Sequence, residues 1–423
     1  MCADVTVATG GPALAGSSSL KANLRRAEAK KRRTAFMLTL PLLAFITVMF
    51  LVPLIGMVWL SVANTAVRDY MPKTVAAMAT WNGKELPPEK VYAAVGEDLT
   101  VAYKARTFGR IAKRLNQEMP GVMGVINKTS FRSSKVTTPP ASWKDELIKI
   151  DPKWGQMPIW NLLKRQSSMF TADYYLAAVD MQVSPTGHIE RVPSYERIYI
   201  KLFIRTAWMS ALVTALTLAL GYPLAYWISR MPPSRANLMM IAVLLPFWTS
   251  LLVRITAWIV LLQSQGVVNS LLVGSGMVSE AARPQLINNA LGTVIVMTQV
   301  LLPFMVLPLY SVMRSIPDTY MRAAISMGAH PWRAFWRVFA PLTVAGVGAG
   351  VLLVFILSIG YYITPELVGG QSGQFISNRI AYNVQQSLNW GLAAALGTIL
   401  TVVTLILFLL YGMITGKGKV SLA

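Results

Sequence analysis

Long, uniformly apolar stretches alternate with charged segments along this chain. The apolar stretches lie approximately at residues 35–60, 202–228, 238–262, 287–312, 342–362 and 391–411. None has the polar stripe with a 3.6-residue repeat that is typical of a surface helix in a soluble protein. Each exceeds the roughly 20 residues that cross a bilayer as a helix. The pattern predicts an all-α polytopic membrane protein with six transmembrane helices.

Composition supports this class and excludes others. Of the 423 residues, 54% are hydrophobic and only 13% are charged, which is too apolar for an ordinary soluble domain. The net charge of +21 would suggest nucleic-acid binding in a soluble protein, but not in one with several long apolar runs. The single cysteine, Cys2, excludes a disulfide framework within the chain. Only two histidines are present, so a zinc site or a His-based triad is not expected. We therefore predict no catalytic residue and no metal ligand.

Basic residues indicate the orientation, because Lys and Arg accumulate in short cytoplasmic loops. They cluster before the first span and in alternate short loops, at Lys21, Arg25, Arg26, Lys30, Lys31, Arg32, Arg33, Arg230, Arg235, Arg314, Arg322, Arg333, Arg337, Lys417 and Lys419. The opposite short loops contribute only Arg283 and Arg379. Both termini are therefore predicted to be cytoplasmic.

The predicted domains follow from these spans. They are a basic cytoplasmic tail (1–34), a first transmembrane helix (35–62), an extracytoplasmic insertion (63–201), a five-helix core (202–412) with a cytoplasmic loop at 313–341, and a cytoplasmic tail (413–423). The insertion is net positive and of mixed character, with helical patterning at 98–115 and 143–150 and strand-like alternation at 191–199. Its aromatic residues are expected to form a core: Trp81, Trp143, Trp154, Trp160, Tyr174 and Tyr175.

The cytoplasmic loop carries the most informative motif. Ser315 and Asp318 are spaced like a capping box that opens a short helix, Gly328 suits a turn, and Pro331 suits the first turn of the next helix. Ala323, Ala324 and Gly328 form a surface of small residues that another backbone can approach closely.

This loop resembles that of type I binding-protein-dependent ABC importer permeases, whose pattern is Glu-Ala-Ala, three residues, Gly, nine residues, Ile, one residue, Leu-Pro. Ala323, Ala324, Gly328 and Pro341 match in register, and Val338 replaces the isoleucine. Arg322 and Ala340 depart from the pattern, replacing its glutamate and leucine. The segments 221–227, 245–254, 302–310 and 366–370 also resemble the spermidine/putrescine branch of these permeases.

The resemblance implies a permease subunit of the bacterial inner membrane. Its coupling residues are expected to be Arg322, Ala323, Ala324, Gly328, Val338 and Pro341, and Gly328→Trp is expected to abolish uptake. The expected partners are two cytoplasmic ATPase subunits, which would hold ATP and Mg, a second permease subunit in a heterodimer, an extracytoplasmic solute-binding protein and membrane lipid, but no nucleic acid. The chain has no P-loop of its own, since 412–417 lacks the required spacing.

The resemblance to the polyamine branch implies a polycationic substrate, which carboxylates and aromatic faces can bind. The candidate pathway residues are Glu366, Tyr361, Tyr362, Trp248, Trp258, Gln263 and Gln299. Trp258 equally fits a membrane-interface position, and Gln299 equally fits a bond to a neighbouring helix. Arg254, inside the third predicted span, is expected to bind a counter-ion or backbone carbonyls.

Other functions stay open at this point. The same architecture serves anions such as sulfate or phosphonate, and ferric iron. A membrane-anchored receptor is a second class, although the segment after Tyr411 is too short for an output domain. A membrane enzyme is a third, but the spans show no paired carboxylates or histidine cluster.

Overall fold

The computed structural model describes residues 16–136, 140–184 and 187–416. Residues 1–15 of the predicted N-terminal tail and 417–423 of the predicted C-terminal tail therefore lie outside the described residues, and with them Cys2, Lys417 and Lys419. The chain divides into two units, Met1–Trp59 and Leu60–Ala423.

The described chain begins with one helical segment. It consists of an α-helix (Gly16–Ile46), a π-helical turn (Thr47–Leu51) and a second α-helix (Val52–Leu60). The wider turn has a local cause, because Pro53 has no N–H to donate to the preceding turn. Val52 instead donates its N–H to the carbonyl of Thr47, five residues earlier.

Five helical segments within the described ranges are long and apolar enough to cross a membrane, namely Lys31–Leu60, Tyr199–Ser229, Leu251–Gly274, Ala290–Ser315 and Trp390–Met413. A bent pair, Pro331–Leu342 and Val344–Gly360, makes a sixth if it is one span, with an angle of 61° at the break. The helical class and the approximate number of spans agree with the sequence prediction.

The third predicted span, 238–262, is wrong in its bounds, because the helical segment that is long and apolar enough to cross a membrane is Leu251–Gly274. The chain forms an α-helix (Pro233–Leu244), a 3₁₀ turn (Leu245–Trp248), an extended step and then helices Leu251–Leu262 and Val267–Gly274. Pro246 breaks the helix because it lacks an N–H and its ring crowds the preceding turn. The guanidinium of Arg254 donates to the carbonyl of Pro246 and, at 3.4 Å, to that of Thr249. This confirms the predicted carbonyl-binding role of Arg254.

The remaining core elements follow in order. They are a 3₁₀ turn (Glu280–Ala282) and helices Ala290–Ser315, Asp318–Ser326, Pro331–Ala334, Phe335–Phe339 (π), Ala340–Leu342, Val344–Gly360, Ile363–Val368, Ile376–Gln385 and Trp390–Gly416. The fifth predicted span, 342–362, thus begins after a bend at Thr343 rather than continuing straight from the loop.

Close packing of three helices forms the centre of the membrane core. Helices Tyr199–Ser229, Ala290–Ser315 and Val344–Gly360 share one buried cluster. A Cβ atom at Gly350 would lie 2.6 Å from the sulfur of Met305, and one at Gly221 would lie 3.1 Å from its Cγ. Small residues therefore let these helices approach closely, as is typical of membrane proteins.

The insertion, whose fold the sequence does not assign, is mainly helical. Its helices are Ala66–Tyr70, Pro72–Met78, Glu89–Lys104, Phe108–Glu118, Val122–Ser133, Trp143–Ile150, Pro152–Gly155 (3₁₀), Met157–Gln166 and Asp173–Ala178. Strands Met181–Val183 and Ile189–Arg191 pair antiparallel, with Met181 opposite Arg191. The predicted strand at 191–199 is wrong beyond Arg191, because the chain turns there and enters helix Tyr199–Ser229.

Helix prediction in the insertion was partly correct. The segment 143–150 is helix Trp143–Ile150, but 98–115 is divided between two helices by a turn in which Arg106 has φ +59°. Trp81, Trp143, Trp154 and Trp160 are buried in one cluster, as expected.

Tyr174 belongs to a separate cluster with residues of the last helix, and Tyr175 packs against that cluster. A Cβ at Gly391 would lie 2.3 Å from the Tyr174 ring, so the glycine permits this contact.

A buried ionic network joins three insertion helices. Arg114 contacts Glu118 at 2.6 Å and Asp173 at 3.8 Å, while Arg165 contacts the same carboxylates at 3.3 and 3.4 Å. Burial raises the pKa of the Glu118 carboxyl, and the charge of Arg114 opposes that shift. The paired charges fix Asp173, and hence the short helix that packs on the last membrane helix.

Candidate functional site

The loop helix, Asp318–Ser326, occupies the position predicted for coupling. Its N-cap residue is Pro317, so the predicted Ser315–Asp318 capping box is wrong. Ser315 instead ends the preceding helix, where its hydroxyl donates to the carbonyl of Val312 at 2.8 Å. A proline before the first turn fixes the entry angle without a side-chain cap.

Gly328 ends the loop helix with a left-handed turn, as expected. Its φ is +89°, a conformation that disfavours every residue with a side chain. The N–H of Ala329 donates to the carbonyl of Ala324, and the N–H of Gly328 donates to that of Ile325. This is the Schellman pattern of paired C-terminal hydrogen bonds. The next helix begins at Pro331, also as expected.

Two arginines outside the predicted site connect the loop region to the end of helix Tyr199–Ser229. Arg230, just after helix Tyr199–Ser229, forms an ion pair with Asp318 in the first turn of the loop helix. Arg314 donates to the carbonyls of Ser229 and Met231 at 2.8 and 3.1 Å. The sequence analysis used both arginines only for orientation, because no spacing rule connects residues more than 80 positions apart.

The predicted coupling residues divide by exposure. Ala324 is buried, while Arg322, Ala323 and Gly328 are exposed. Arg322 makes no ion pair with any described residue. Val338 is half-buried in the π-helical turn, and Pro341 is exposed beyond it.

Large apolar side chains at the end of the loop helix and in the helices that follow it are exposed. Met327 is 82% exposed and Trp332 is 65% exposed, and Trp336 is also exposed. Trp332 stacks on Phe335, which in turn packs against Tyr226 of helix Tyr199–Ser229. These contacts give a partly apolar, exposed surface close in sequence to the small residues of the loop helix.

A second feature is a polar pocket of about 120 Å³ beside Glu366. Its lining residues are Tyr362, Glu366, Gln374, Asn378, Arg379, Ala381, Tyr382, Gln385 and Gln386. The side-chain amide of Asn378 donates to the Glu366 carboxylate at 2.7 Å and to the carbonyl of Tyr362 at 2.9 Å. Its oxygen accepts the N–H of Phe375 at 2.9 Å, so the nearly buried Asn378 holds Glu366 in a fixed position.

Glu366 is distinguished by its charge environment. The core residues 199–416 contain three carboxylates, Glu280, Asp318 and Glu366. Glu280 pairs with Arg283 at 2.6 Å and Asp318 pairs with Arg230, whereas Glu366 forms no ion pair with a described residue. Glu366 is also exposed, so its negative charge is accessible to a cation.

The structure does not bring all predicted pathway residues together. The indole of Trp258 donates to the Gln299 side chain at 3.1 Å, which confirms the helix-to-helix bond considered for Gln299. Tyr361 packs against the same cluster as Trp258, and Tyr362 lines the polar pocket. Trp248 is 75% exposed in the 3₁₀ turn, and Gln263 is exposed after helix Leu251–Leu262. Trp248, Trp258, Gln263 and Gln299 do not line the polar pocket.

Asn378, Arg379 and Tyr382 line the pocket although the sequence analysis did not select them for it. A cluster of polar residues directly after the glycine-rich segment 369–373 was the available signal.

The sequence of this chain is similar to those of known membrane transport proteins. Residues 217–417 match the family model of the binding-protein-dependent transport system inner membrane component. The spermidine/putrescine transport system permease protein PotB of Haemophilus influenzae is 33% identical over 224 residues, which are 52% of this chain and 78% of that protein. The inner membrane ABC transporter permease protein YdcU of Escherichia coli is 32% identical over 221 residues, covering 50% of this chain and 69% of that protein.

Among solved structures, a bacterial alginate ABC transporter in complex with its alginate pentasaccharide-bound periplasmic protein matches 54% of this chain and 81% of its own chain, with 18% identity and a TM-score of 0.44. The two sequence relatives and the family model confirm the resemblance seen in the loop motif. The chain therefore belongs to the binding-protein-dependent transport system inner membrane components, as an ABC importer permease subunit that resembles the spermidine/putrescine type.

Proposed function

We propose that this permease subunit imports amines of the polyamine class and that Glu366 binds a substrate ammonium group. The observation that supports this most is that Glu366 forms no ion pair with any described residue, while the other two core carboxylates are paired. The PotB proteins, which are spermidine/putrescine permeases, provide independent support.

The surroundings of Glu366 suit an ammonium group. An ion pair with a fixed carboxylate supplies the charge term, and exposed aromatic rings such as Tyr362 supply a cation–π term. Because Asn378 already holds the carboxylate, little side-chain entropy is lost when the cation binds. Anions would be repelled by the same group.

Exchanging Glu366 for Gln tests the proposal. The change keeps the size and removes the charge, so uptake of 1,4-diaminobutane should fall about tenfold, the value of one charge-assisted hydrogen bond. Uptake is measured in vesicles that contain the complete transporter and its binding protein. The control is Glu280→Gln, which removes an exposed carboxylate that is paired with Arg283. Unchanged uptake by Glu366→Gln would exclude a role for this carboxylate in cation transport.

The second part of the proposal concerns energy coupling. The loop helix would dock into a cytoplasmic ATPase subunit, which binds and hydrolyses ATP with Mg. Closure of two such subunits would move the loop helices and switch the spans between inward-open and outward-open states. The supporting geometry is the exposed surface of Ala323 and Gly328, flanked by Met327 and Trp332 and anchored by Arg230.

Ala323→Trp tests this docking. Gly328→Trp does not distinguish blocked docking from backbone strain, because a φ of +89° disfavours any residue with a side chain. Ala323 has helical geometry and an exposed side chain, so tryptophan is tolerated by the chain itself and blocks only a partner. We expect uptake and substrate-stimulated ATP hydrolysis to fall below about a tenth. Ala323→Ser is the control, and normal uptake by Ala323→Trp would contradict the docking.

A further inference from the structure

The polar pocket contains a positive charge as well as a negative one. Arg379, on helix Ile376–Gln385, lines the same pocket of about 120 Å³ as Glu366. The other lining side chains with polar groups are neutral, namely Tyr362, Gln374, Asn378, Tyr382, Gln385 and Gln386. The pocket is therefore dipolar and carries no net charge.

The two charges do not neutralise each other. Glu366 and Arg379 are not within ion-pair distance in the described structure, and the polar partner of Glu366 is the neutral Asn378. The guanidinium of Arg379 lies 4.7 Å from the ring centre of Tyr382. This contact positions the guanidinium without removing its charge.

This arrangement opposes a simple diamine. If one ammonium group binds Glu366, a second ammonium in the same small pocket meets the like charge of Arg379. A carbonyl or carboxylate oxygen at that place would instead accept hydrogen bonds from the guanidinium fork, which suits planar oxygen acceptors.

We infer that Arg379 determines specificity, and that the pocket binds an amine whose other end carries a carbonyl oxygen. Two sources share this chemistry, the carboxylate of an ω-amino acid and the acyl group of a mono-acylated diamine. The inference rests on the proposed binding of an ammonium group by Glu366. The acylated diamine is a derivative of the proposed polyamine class, whereas the ω-amino acid would place the substrate outside that class.

Equilibrium binding to the purified, detergent-solubilised transporter without its binding protein tests the inference, because the preference of the binding protein is then absent. The probes are 1,4-diaminobutane, 4-aminobutanoate and N-acetyl-1,4-diaminobutane, which share a four-carbon spacing. We expect the wild type to bind at least one of the two acceptor-bearing probes about tenfold more tightly than the diamine. Tightest binding of 4-aminobutanoate indicates the ω-amino acid, and that of the acetylated probe indicates the acylated diamine.

Arg379→Gln should abolish this preference, so that the diamine binds as tightly as the other probes or more tightly. Arg379→Lys keeps the charge and should retain the preference for 4-aminobutanoate over the diamine. Retention by this variant would show that the loss in Arg379→Gln comes from the missing charge and not from a folding defect. Arg283→Gln is the control for loss of an arginine elsewhere, and thermal unfolding of each variant checks its folding.

Glu366→Gln separates the two proposals. If it weakens binding of every probe while Arg379→Gln leaves their ratios unchanged, the role of Arg379 is overturned and ammonium binding by Glu366 stands. If Glu366→Gln changes no affinity, or if no probe binds the wild type, both are overturned. A wild type that prefers the diamine overturns the specificity inference alone.

Discussion

At the scale of single residues, the side chain of Asp180 caps the start of a membrane helix that begins about 20 residues later in the sequence. Asp180 is buried with a φ of +55°, and its carboxylate accepts the N–H groups of Ile198, Tyr199 and Ile200 at 2.8 to 3.0 Å. These donors lie at the start of helix Tyr199–Ser229, where no carbonyl of the helix can accept them. A carboxylate at this end also interacts favourably with the helix dipole.

Loss of this cap should destabilise the protein measurably. Asp180→Ala leaves three N–H groups without their acceptor, so we expect a loss of about 1–2 kcal/mol in the free energy of unfolding. Asp180→Asn keeps one acceptor oxygen and tolerates the left-handed conformation, so its loss should be smaller. Thermal unfolding of the full chain in detergent measures both. Glu196→Ala, at an exposed position in the same loop, is the control, and an equal melting temperature for Asp180→Ala and this control would refute the capping role.

At the scale of elements, the loop helix is attached to the membrane core by its first turn. The ion pair of Asp318 with Arg230 connects it to the end of helix Tyr199–Ser229, and Arg230 also lies 4.8 Å from the ring centre of Phe339. The side chain of Asp318 is 58% exposed, so the pair contributes little to global stability. Its geometric effect is to make the loop helix and the long helix move together.

We therefore expect Asp318→Asn to affect coupling more than folding. The melting temperature should change little, because the pair is exposed. The number of ATP molecules hydrolysed per substrate molecule imported should rise at least about twofold, because motion of the loop helix is transmitted less completely to the spans. Parallel measurements of ATP hydrolysis and uptake in the reconstituted transporter give this ratio. Asp318→Glu, which keeps the charge, is the control. A wild-type ratio for Asp318→Asn would show that the ion pair transmits no motion.

At the scale of the whole molecule, most of the insertion is accommodated because the chain returns at 169–171 to the place where the insertion begins. The N–H of Asn64 donates to the carbonyl of Met169, and the N–H of Thr171 donates to that of Val62, both at 2.9 Å. The chain between them therefore leaves and returns at one place, so a domain can be inserted there with little effect on the helices that follow. Tyr174 then packs against Gly391, and Asp180 caps the next helix, which joins the insertion to the core.

The prediction of the spans worked where local composition decides the structure. In lipid every backbone group must be bonded within a helix, so a long apolar stretch such as Trp390–Met413 has few alternatives. It was wrong at 245–250, where Pro246 breaks the helix and the side chain of Arg254, just after the break, binds the carbonyls of Pro246 and Thr249.

The candidate site shows the same division. The register of Ala323, Ala324 and Gly328 is local and was visible in the sequence, and so was the turn at Gly328. The ion pair of Asp318 with Arg230 and the pairing of Glu366 with Asn378 depend on how helices pack, and neither follows from spacing alone.

The sequence by itself therefore determined the membrane class, the approximate spans, the helix-ending glycine and the family, because hydropathy and backbone conformation act over a few neighbouring residues. Only the tertiary structure decided that the insertion is helical, that Glu366 forms no ion pair with a described residue, and that Arg379 shares its pocket. Those properties are set by contacts between residues that are distant along the chain, since burial and pairing of charges depend on what the fold brings within a few ångströms.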